Sequence, residues 1–338
     1  MLCDTLNNAL VPLLNRYDRE QIGVVYDVRV GHEWIHCGWD GLPALGLEIS
    51  EADKSLDTVT RIWDFLFAHQ IPRRGLLVCI GGGVLTDVAG FAAATYKRGI
   101  DYINIPTTLL AMIDASSGGK TGVNYRGWKN AIGAFASPIE TLIWPGWLKT
   151  LPAREMLSGF GEMLKTGLIE DSGLLWNRLL QYDLEKMGIE ELTPLIAQCV
   201  AVKEGIVSAD PKEEGLRKVL NLGHTFGHAL EEISLGAMPH GYAVVYGLIA
   251  ELYLSVVKLG CPREVLQQLT QVMVHYYGKP QCKCSDRKRL IELMQQDKKN
   301  EHAVEINCTL IRSVGQPVVN QVITPVEAEE ALDYLFSL

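Results

Sequence analysis

Residues 76–87 read LLVCIGGGVLTD, and this stretch decides the fold. Five apolar residues predict a buried strand, three glycines a tight turn, and the segment after them a helix with Asp87 near its start. A strand feeding a glycine turn and then a helix N-terminus suits a pyrophosphate. Glycines let the backbone approach, and the free N–H groups and helix dipole favour an anion. The pattern is GGGxxxD, not the GxGxxG dinucleotide fingerprint, and a turn with no ligand explains it equally well.

Outward from this stretch the alternation continues. Strands are predicted at 22–30, 44–49 and 102–105, and helices at 54–69 and 85–98, which implies a parallel sheet with covered faces. From Pro152 onward the texture changes to long helical periodicities at 153–170, 189–208, 217–233 and 243–259. The chain is therefore expected to be an α/β, Rossmann-like half of residues 1–151 and a mainly α-helical half of residues 152–338. Residues 307–323 are expected to add a strand, and the N-terminus starts close to the first strand, so that an opening strand is expected to be missing or short.

A second loop follows the strand at 102–105. Residues 104–124 read NIPTTLLAMIDASSGGKTGVN, with paired threonines, an acid, two glycines and a lysine. A Walker A loop needs glycine five positions before Gly119, and Asp114 stands there, so kinase-type phosphate binding is disfavoured. Two phosphate-friendly loops at the ends of neighbouring strands still describe a nucleotide crevice.

The bulk properties narrow the partners. A chain of 338 residues, 48% hydrophobic and 21% charged, is globular rather than disordered. A net charge of -9 argues against a sequence-blind grip on nucleic acid or an anionic membrane, so any anionic ligand must meet local cations. The start MLCDTLNNALVPLL has no basic n-region or cleavage site, and a cytoplasmic location is expected. The longest apolar stretch, 243–254, is broken by Glu251 and is too short to span a bilayer. Eight scattered cysteines read as reduced thiols, and Cys282 and Cys284 lack a second pair at finger spacing.

Residues 217–233 carry the most informative pattern. They read as one helix, on which Arg217, Asn221, His224 and His228 fall within roughly 60° of one another on an otherwise apolar surface. Such a stripe lines a polar cavity or solvent channel, because buried cations and imidazoles need partners. A stripe that simply faces water is the plain alternative, although solvated faces usually carry Lys and Glu. The zincin HExxH pattern is absent, since Thr225 follows the first histidine. Gly223 and Gly227, four apart, suggest another backbone packing closely. Glu162 and Lys165 lie on one face of another apolar helix, either as a structural pair or as part of a site. Glu162, His224 and His240 together would make a carboxylate–imidazole zinc set with an open fourth position.

At this point the residues match a family. The chain resembles the 3-dehydroquinate synthases, among the sugar-phosphate cyclases, from about residue 51 to 300. The matching pieces are GGGVLTDVAGFAAATYKRG, IPTTLLAMIDASSGGKTGVN, Lys129-Asn130, GFGEMLKTGLI, GLRKVLNLGHTFGHALE, PHGYAV and DKKN. The resemblance implies NAD held by Glu51, Lys54, Gly83, Val84, Leu85, Thr86, Asp87, Thr107, Thr108, Lys120, Lys129, Trp147, Leu148, Lys149 and Thr150. It implies a divalent metal, Zn2+ or Co2+, on Glu162, His224 and His240. It places the substrate, the phosphorylated keto acid 3-deoxy-D-arabino-heptulosonate 7-phosphate (DAHP), between the halves. Asp114, Lys120, Asn130, Lys165, Lys203, Arg217, Asn221, His228 and Lys298 would contact it, with Arg98 acting across a homodimer interface. Tyr242 stands where the family commonly has Glu, and GGGVLTD where many members read GGGVIGD.

The implied reaction oxidises a substrate hydroxyl through NAD, eliminates phosphate and returns the hydride. The ring then opens and closes again by an intramolecular aldol step, giving 3-dehydroquinate with no net redox. Physical chemistry agrees, because buried Lys and Arg among apolar residues need anions, and the substrate carries two. A metal-dependent polyol or alcohol dehydrogenase is the nearest rival. Other sugar-phosphate cyclases act on substrates without a carboxylate, which Lys203 and Arg217 argue against. A catalytically dead nucleotide-binding scaffold would not need the complete polar set.

Overall fold

The computed structural model describes residues 1–30, 41–116, 118–282, 284–296 and 305–338. It divides into two compact units, Met1–Leu151 and Pro152–Leu338.

The first unit contains α1 (Leu6–Leu14), β1 (Ile22–Asp27), β2 (Ala44–Leu47), α2 (Leu56–Ala68), β3 (Leu76–Gly81), α3 (Gly83–Thr95) and β4 (Asp101–Pro106). A hairpin of β5 (Lys120–Tyr125) and β6 (Trp128–Phe135) follows, and then β7 (Glu140–Thr141). The sheet order is β2-β1-β3-β4-β7 and every pairing in it is parallel, the Rossmann-like architecture expected. Strand β3 is buried at every position, which is why its sequence is a continuous apolar run instead of an alternating one. Helices α2 and α3 pack over the sheet through Val59, Ile62, Leu66, Val88 and Ala92.

Several boundaries moved for identifiable reasons. Strand β1 stops at Asp27, because the carboxylate of Asp27 accepts the Arg29 backbone N–H at 3.0 Å and its guanidinium at 2.5 Å, folding the chain back. Helix α3 ends at Thr95, and Lys97 and Arg98 adopt left-handed φ of 47° and 70°. The N-terminal segment contributes a single parallel bridge, Leu2 to Ile143, and then α1. The β5–β6 hairpin went unpredicted, although Arg126 and Gly127, both at positive φ, make the turn that right-twisted strands prefer.

The second unit runs α4 (Ala153–Ile169), α5 (Leu174–Gln181), α6 (Ile189–Ala209), α7 (His224–Ile233), α8 (His240–Leu259), α9 (Arg263–Val272) and α10 (Arg287–Gln295). Antiparallel strands β8 (Ile306–Ile311) and β9 (Pro317–Ile323) precede α11 (Pro325–Ser337). Two strands thus stand where one was expected. Helix α8 is the axis of this unit, packed by α4, α7, α11 and β8. Helices α6 and α8 are long and apolar enough to cross a membrane by length and composition. Of α8's apolar window, 67% is buried inside the protein, as in a core helix.

One expectation fails instructively. Residues 217–233 are not one helix. A 3-10 turn, Leu216–Asn221, is followed by extended Leu222 and by Gly223 at φ +81°, and only then does α7 begin at His224. Arg217 and Asn221 therefore do not share a helix with His224 and His228. The break is permitted because glycine adopts the left-handed conformation at no steric cost. It is enforced by packing, since a Cβ on Gly247 of α8 would lie 1.9 Å from the Gly223 carbonyl oxygen. The close backbone approach suggested by Gly223 and Gly227 is real, and α8 provides the partner.

Gly247→Ala must push this turn away from α8. It is expected to lower unfolding stability by about 1–3 kcal/mol, measured by urea denaturation of the metal-free protein. An unchanged midpoint would contradict the contact.

Candidate metal centre and active site

Helix α4 is buried continuously from Ser158 to Ile169, yet it contains Glu162 and Lys165 at 1% and 2% exposure. Charges in such a place cost several kcal/mol each unless they are met. Lys165 Nζ lies 2.5 Å from Glu162 Oε2, one helical turn away. The other oxygen, Oε1, faces His240 Nε2 at 3.1 Å and His224 Nε2 at 3.4 Å.

Each imidazole is aimed from behind. His224 Nδ1 lies 3.1 Å from the Leu222 carbonyl oxygen, and His240 Nδ1 lies 3.1 Å from Glu231 Oε2. An oxygen behind each Nδ1 fixes a proton there, so that Nε2 is the nitrogen turned to the shared carboxylate oxygen and the one a metal would take once its proton has left. Pro239 introduces α8 at His240, and Gly241, the residue after that histidine, donates its N–H to Ser158 Oγ at 3.1 Å. That contact binds the start of α8 to α4 and sets His240 beside Glu162.

The donor set fits a metal ion. All three ligand atoms lie within 4.8 Å of one another. Tetrahedral zinc with N and O ligands at about 2.0–2.1 Å has donor–donor edges of ~3.4 Å, against 3.1 and 3.4 Å here. Two imidazoles and one carboxylate leave a fourth position open, as in catalytic rather than structural sites. His228 is exposed, with its ring 5.1 Å from that of His224 and 6.0 Å from that of His240. It stands at the accessible side of the cluster.

The charges are strongly coupled. Burial pushes the Glu162 carboxyl up, but Lys165 and His240 outweigh it and bring the pKa down to about 2. Burial pulls His240 down, but hydrogen bonds to Glu162 and Glu231 outweigh it and raise the imidazole to about 10.

Other predicted residues of this unit cluster on neighbouring elements. Lys203 on α6 and Arg217 on the 3-10 turn are buried, and α4, α6 and that turn pack on one another. Arg217 Nη1 donates to the Pro211 carbonyl at 2.8 Å, and Asn221 Nδ2 donates to Glu213 Oε1 at 3.0 Å. Asp210 accepts the backbone N–H groups of Glu214, Gly215 and Arg217, which shapes the loop and holds its own carboxyl below the usual range. Lys298 lies outside the described residues.

In the first unit the two glycine loops meet at the carboxyl ends of β3 and β4. Thr107 N–H donates to the Gly81 carbonyl at 3.0 Å, and a Cβ on Gly82 would lie 3.2 Å from the Thr108 methyl. Helix α3 begins at Gly83 without a side-chain cap. Lys54 Nζ pairs with Asp87 Oδ2 at 2.6 Å. Asn124 donates to Glu51 Oε1 at 2.8 Å and accepts the Asn130 N–H at 2.9 Å, so Glu51, Lys54, Asp87 and Asn130 form one neighbourhood. Val84 is half-buried, while Leu85 and Thr86 are core side chains that could reach a ligand only through their backbone. Asp114 sits in the wide turn Ala111–Ala115, Lys120 opens β5, and Lys129 lies on β6. Trp147, Leu148, Lys149 and Thr150 share the 3-10 turn Pro145–Thr150, with the first two buried, and Arg98 is exposed.

Glu231, Asn124, Glu213 and Asp210 were not singled out from sequence. Glu231 had a signal, since it lies seven residues after His224 and hence on the same face of α7. The others depend on loop geometry that no periodicity reports.

The fold is one that sugar-phosphate cyclases and iron-containing alcohol dehydrogenases share. The 2-epi-5-epi-valiolone synthase from Streptomyces hygroscopicus subsp. jinggangensis 5008, solved with NAD+ and Zn2+ bound, superposes with a TM-score of 0.86 at 28% identity, covering 100% of this chain and 96% of that one. A 2-deoxy-scyllo-inosose synthase, solved with carbaglucose-6-phosphate, NAD+ and Co2+, shares the fold at a TM-score of 0.84 and 22% identity, covering 98% and 95%. Within that fold the chain belongs to the 3-dehydroquinate synthase family, whose N-terminal description matches residues 44–158 and whose C-terminal description matches 159–300. The 3-dehydroquinate synthase of Parabacteroides distasonis is 40% identical over 342 residues, 99% of this chain and 96% of its own length.

Metal uptake should be linked to pH. With its pKa raised to about 10, His240 is protonated in the metal-free protein at neutral pH, and a metal must displace that proton. Apparent zinc affinity should therefore rise about tenfold per pH unit between roughly pH 7 and 8.5, with about one proton released per ion. Calorimetry in buffers of different ionisation enthalpy measures both. A flat affinity with no proton release would refute the assignment of His240.

Proposed function

We propose that the protein is a 3-dehydroquinate synthase, a phosphorus–oxygen lyase converting DAHP to 3-dehydroquinate and phosphate. The observation that carries this reading is the convergence of His224 and His240 on one oxygen of buried Glu162, with Lys165 on the other, in a chain of this family. When bound, NAD supplies transient hydride acceptance and return, and the divalent cation, Zn2+ or Co2+, supplies Lewis acidity at substrate hydroxyls.

In this reading Met1–Leu151 is the dinucleotide-binding unit and Pro152–Leu338 carries the metal and most of the substrate contacts. Gly83–Asp87 backbone N–H groups, with Thr107 and Thr108, face the pyrophosphate at the open end of α3. Glu51, Lys54, Lys120, Lys129 and the turn carrying Trp147, Leu148, Lys149 and Thr150 complete that site. Glu162, His224 and His240 hold the metal.

Lys165, Lys203 and Arg217 meet the anionic groups of the substrate, and desolvation sharpens their preference for a dianion. Arg217 offers a planar fork suited to a carboxylate. Asn221 and His228 orient the reacting hydroxyls, and exposed His228 is placed to exchange a proton with solvent. Asp114, Lys120, Asn130 and Lys298 complete the substrate contacts. A cytoplasmic homodimer is the proposed working form, with exposed Arg98 reaching the neighbouring copy.

A polyol dehydrogenase has no comparable use for Lys165 beside the metal ligand, and the curated relatives are synthases. Supplied with DAHP, NAD and Zn2+, the protein should release phosphate without accumulating NADH. A chelator should abolish release, and zinc should restore it. Steady NADH formation from a polyol, with no phosphate released from DAHP, would overturn the proposal.

A further inference from the structure

Glu251 interrupts the apolar run of α8 and is completely buried, between Ala250 and Leu252. A carboxylate there is costly unless donors meet it. Its Oε2 accepts the Gly223 N–H at 2.5 Å and its Oε1 accepts the Thr225 N–H at 3.2 Å. Those two amides flank His224.

The first turn of a helix has N–H groups without intrahelical acceptors, and a side chain just before the helix usually supplies one. Gly223 has no side chain to offer, and α7 has no side-chain cap of its own. The cap therefore comes from a different helix, as a full negative charge at the positive end of the α7 dipole.

The same backbone aims the metal ligand. The Leu222 carbonyl that holds His224 Nδ1 precedes Gly223, and the Thr225 hydroxyl donates to the Asn307 carbonyl at 3.0 Å. Glu251 is itself anchored one turn along α8. There Ser255 Oγ donates to the Glu251 carbonyl at 2.7 Å and accepts the Ile311 N–H at 3.0 Å.

We infer that Glu251 is a positioning residue for the metal centre. Its carboxylate fixes the backbone on both sides of His224, so that Nε2 points at the Glu162 oxygen. This rests on the reading above that Glu162, His224 and His240 bind the metal.

The test uses the full chain, stripped with a chelator and titrated with Zn2+ against a chromophoric competitor. Glu251→Gln keeps the side-chain volume but turns an amide NH2 toward one of the two N–H groups. It should bind zinc about 10–100-fold more weakly, and its Co2+ form should lose the intense visible bands of a tetrahedral site. Combined with His224→Ala, Glu251→Gln should add no further loss, because its effect passes through that ligand. If the Gln variant does not fold, Glu251→Asp, which keeps the charge but shortens its reach, should show the same loss and the same absence of additivity.

A lower melting temperature with zinc affinity unchanged would overturn the inference, as would an equal additional loss in the His224→Ala background. Failure of the unaltered chain to bind one zinc would instead overturn the metal reading. Tight binding by the unaltered chain with both variants unimpaired would remove Glu251 alone.

Discussion

A single buried carboxylate organises the second unit. Glu162 stands inside an apolar helix, where an ionised group survives only if nearby charges and donors replace water. Lys165 meets one oxygen and two imidazoles converge on the other. Each partner then constrains the chain that brings it. His240 can reach Glu162 only if α8 begins against α4, which requires the bare backbone of Gly241. His224 can reach it only if the chain breaks before α7, which requires Gly223. The close contacts of Gly223 and Gly241 thus accompany the assembly of a polar centre in a dry interior.

The acidic balance of the chain makes its cations more telling. With a net charge of -9, the protein nevertheless buries Lys54, Lys165, Lys203 and Arg217. Lys54 is held by Asp87 and Lys165 by Glu162. Cations ordered by structural carboxylates keep their orientation while presenting N–H groups to an incoming anion, and desolvation strengthens that attraction.

Much of this was legible in sequence because burial imposes periodicity. The LLVCI run, the glycine turn and the long helices after Pro152 survive with small shifts of boundary. The cluster of Glu162, His224 and His240 could be read because a charged pair on one apolar stretch, imidazoles on another and a histidine just before a third supply a carboxylate and two imidazoles. The continuous helix over 217–233 failed for a local reason. Asn221-Leu222-Gly223 is a helix stop, and helical periodicity assigned Arg217 and His224 to one face across a break. The supporting groups stayed hidden for a different reason. Asp210 works through backbone amides and Asn124 links residues far apart in sequence, whereas Glu231 keeps the helical spacing of seven from His224. Side-chain to main-chain bonds across elements leave no repeat in the sequence.

X-ray absorption at the zinc edge of the metal-loaded protein tests the central claim most directly. The account predicts one zinc surrounded only by nitrogen and oxygen at about 2.0–2.1 Å, with the multiple-scattering signature of two imidazoles that falls to one in His224→Ala. A sulfur shell at about 2.3 Å, or an imidazole signal untouched by that substitution, would place the metal elsewhere and contradict it.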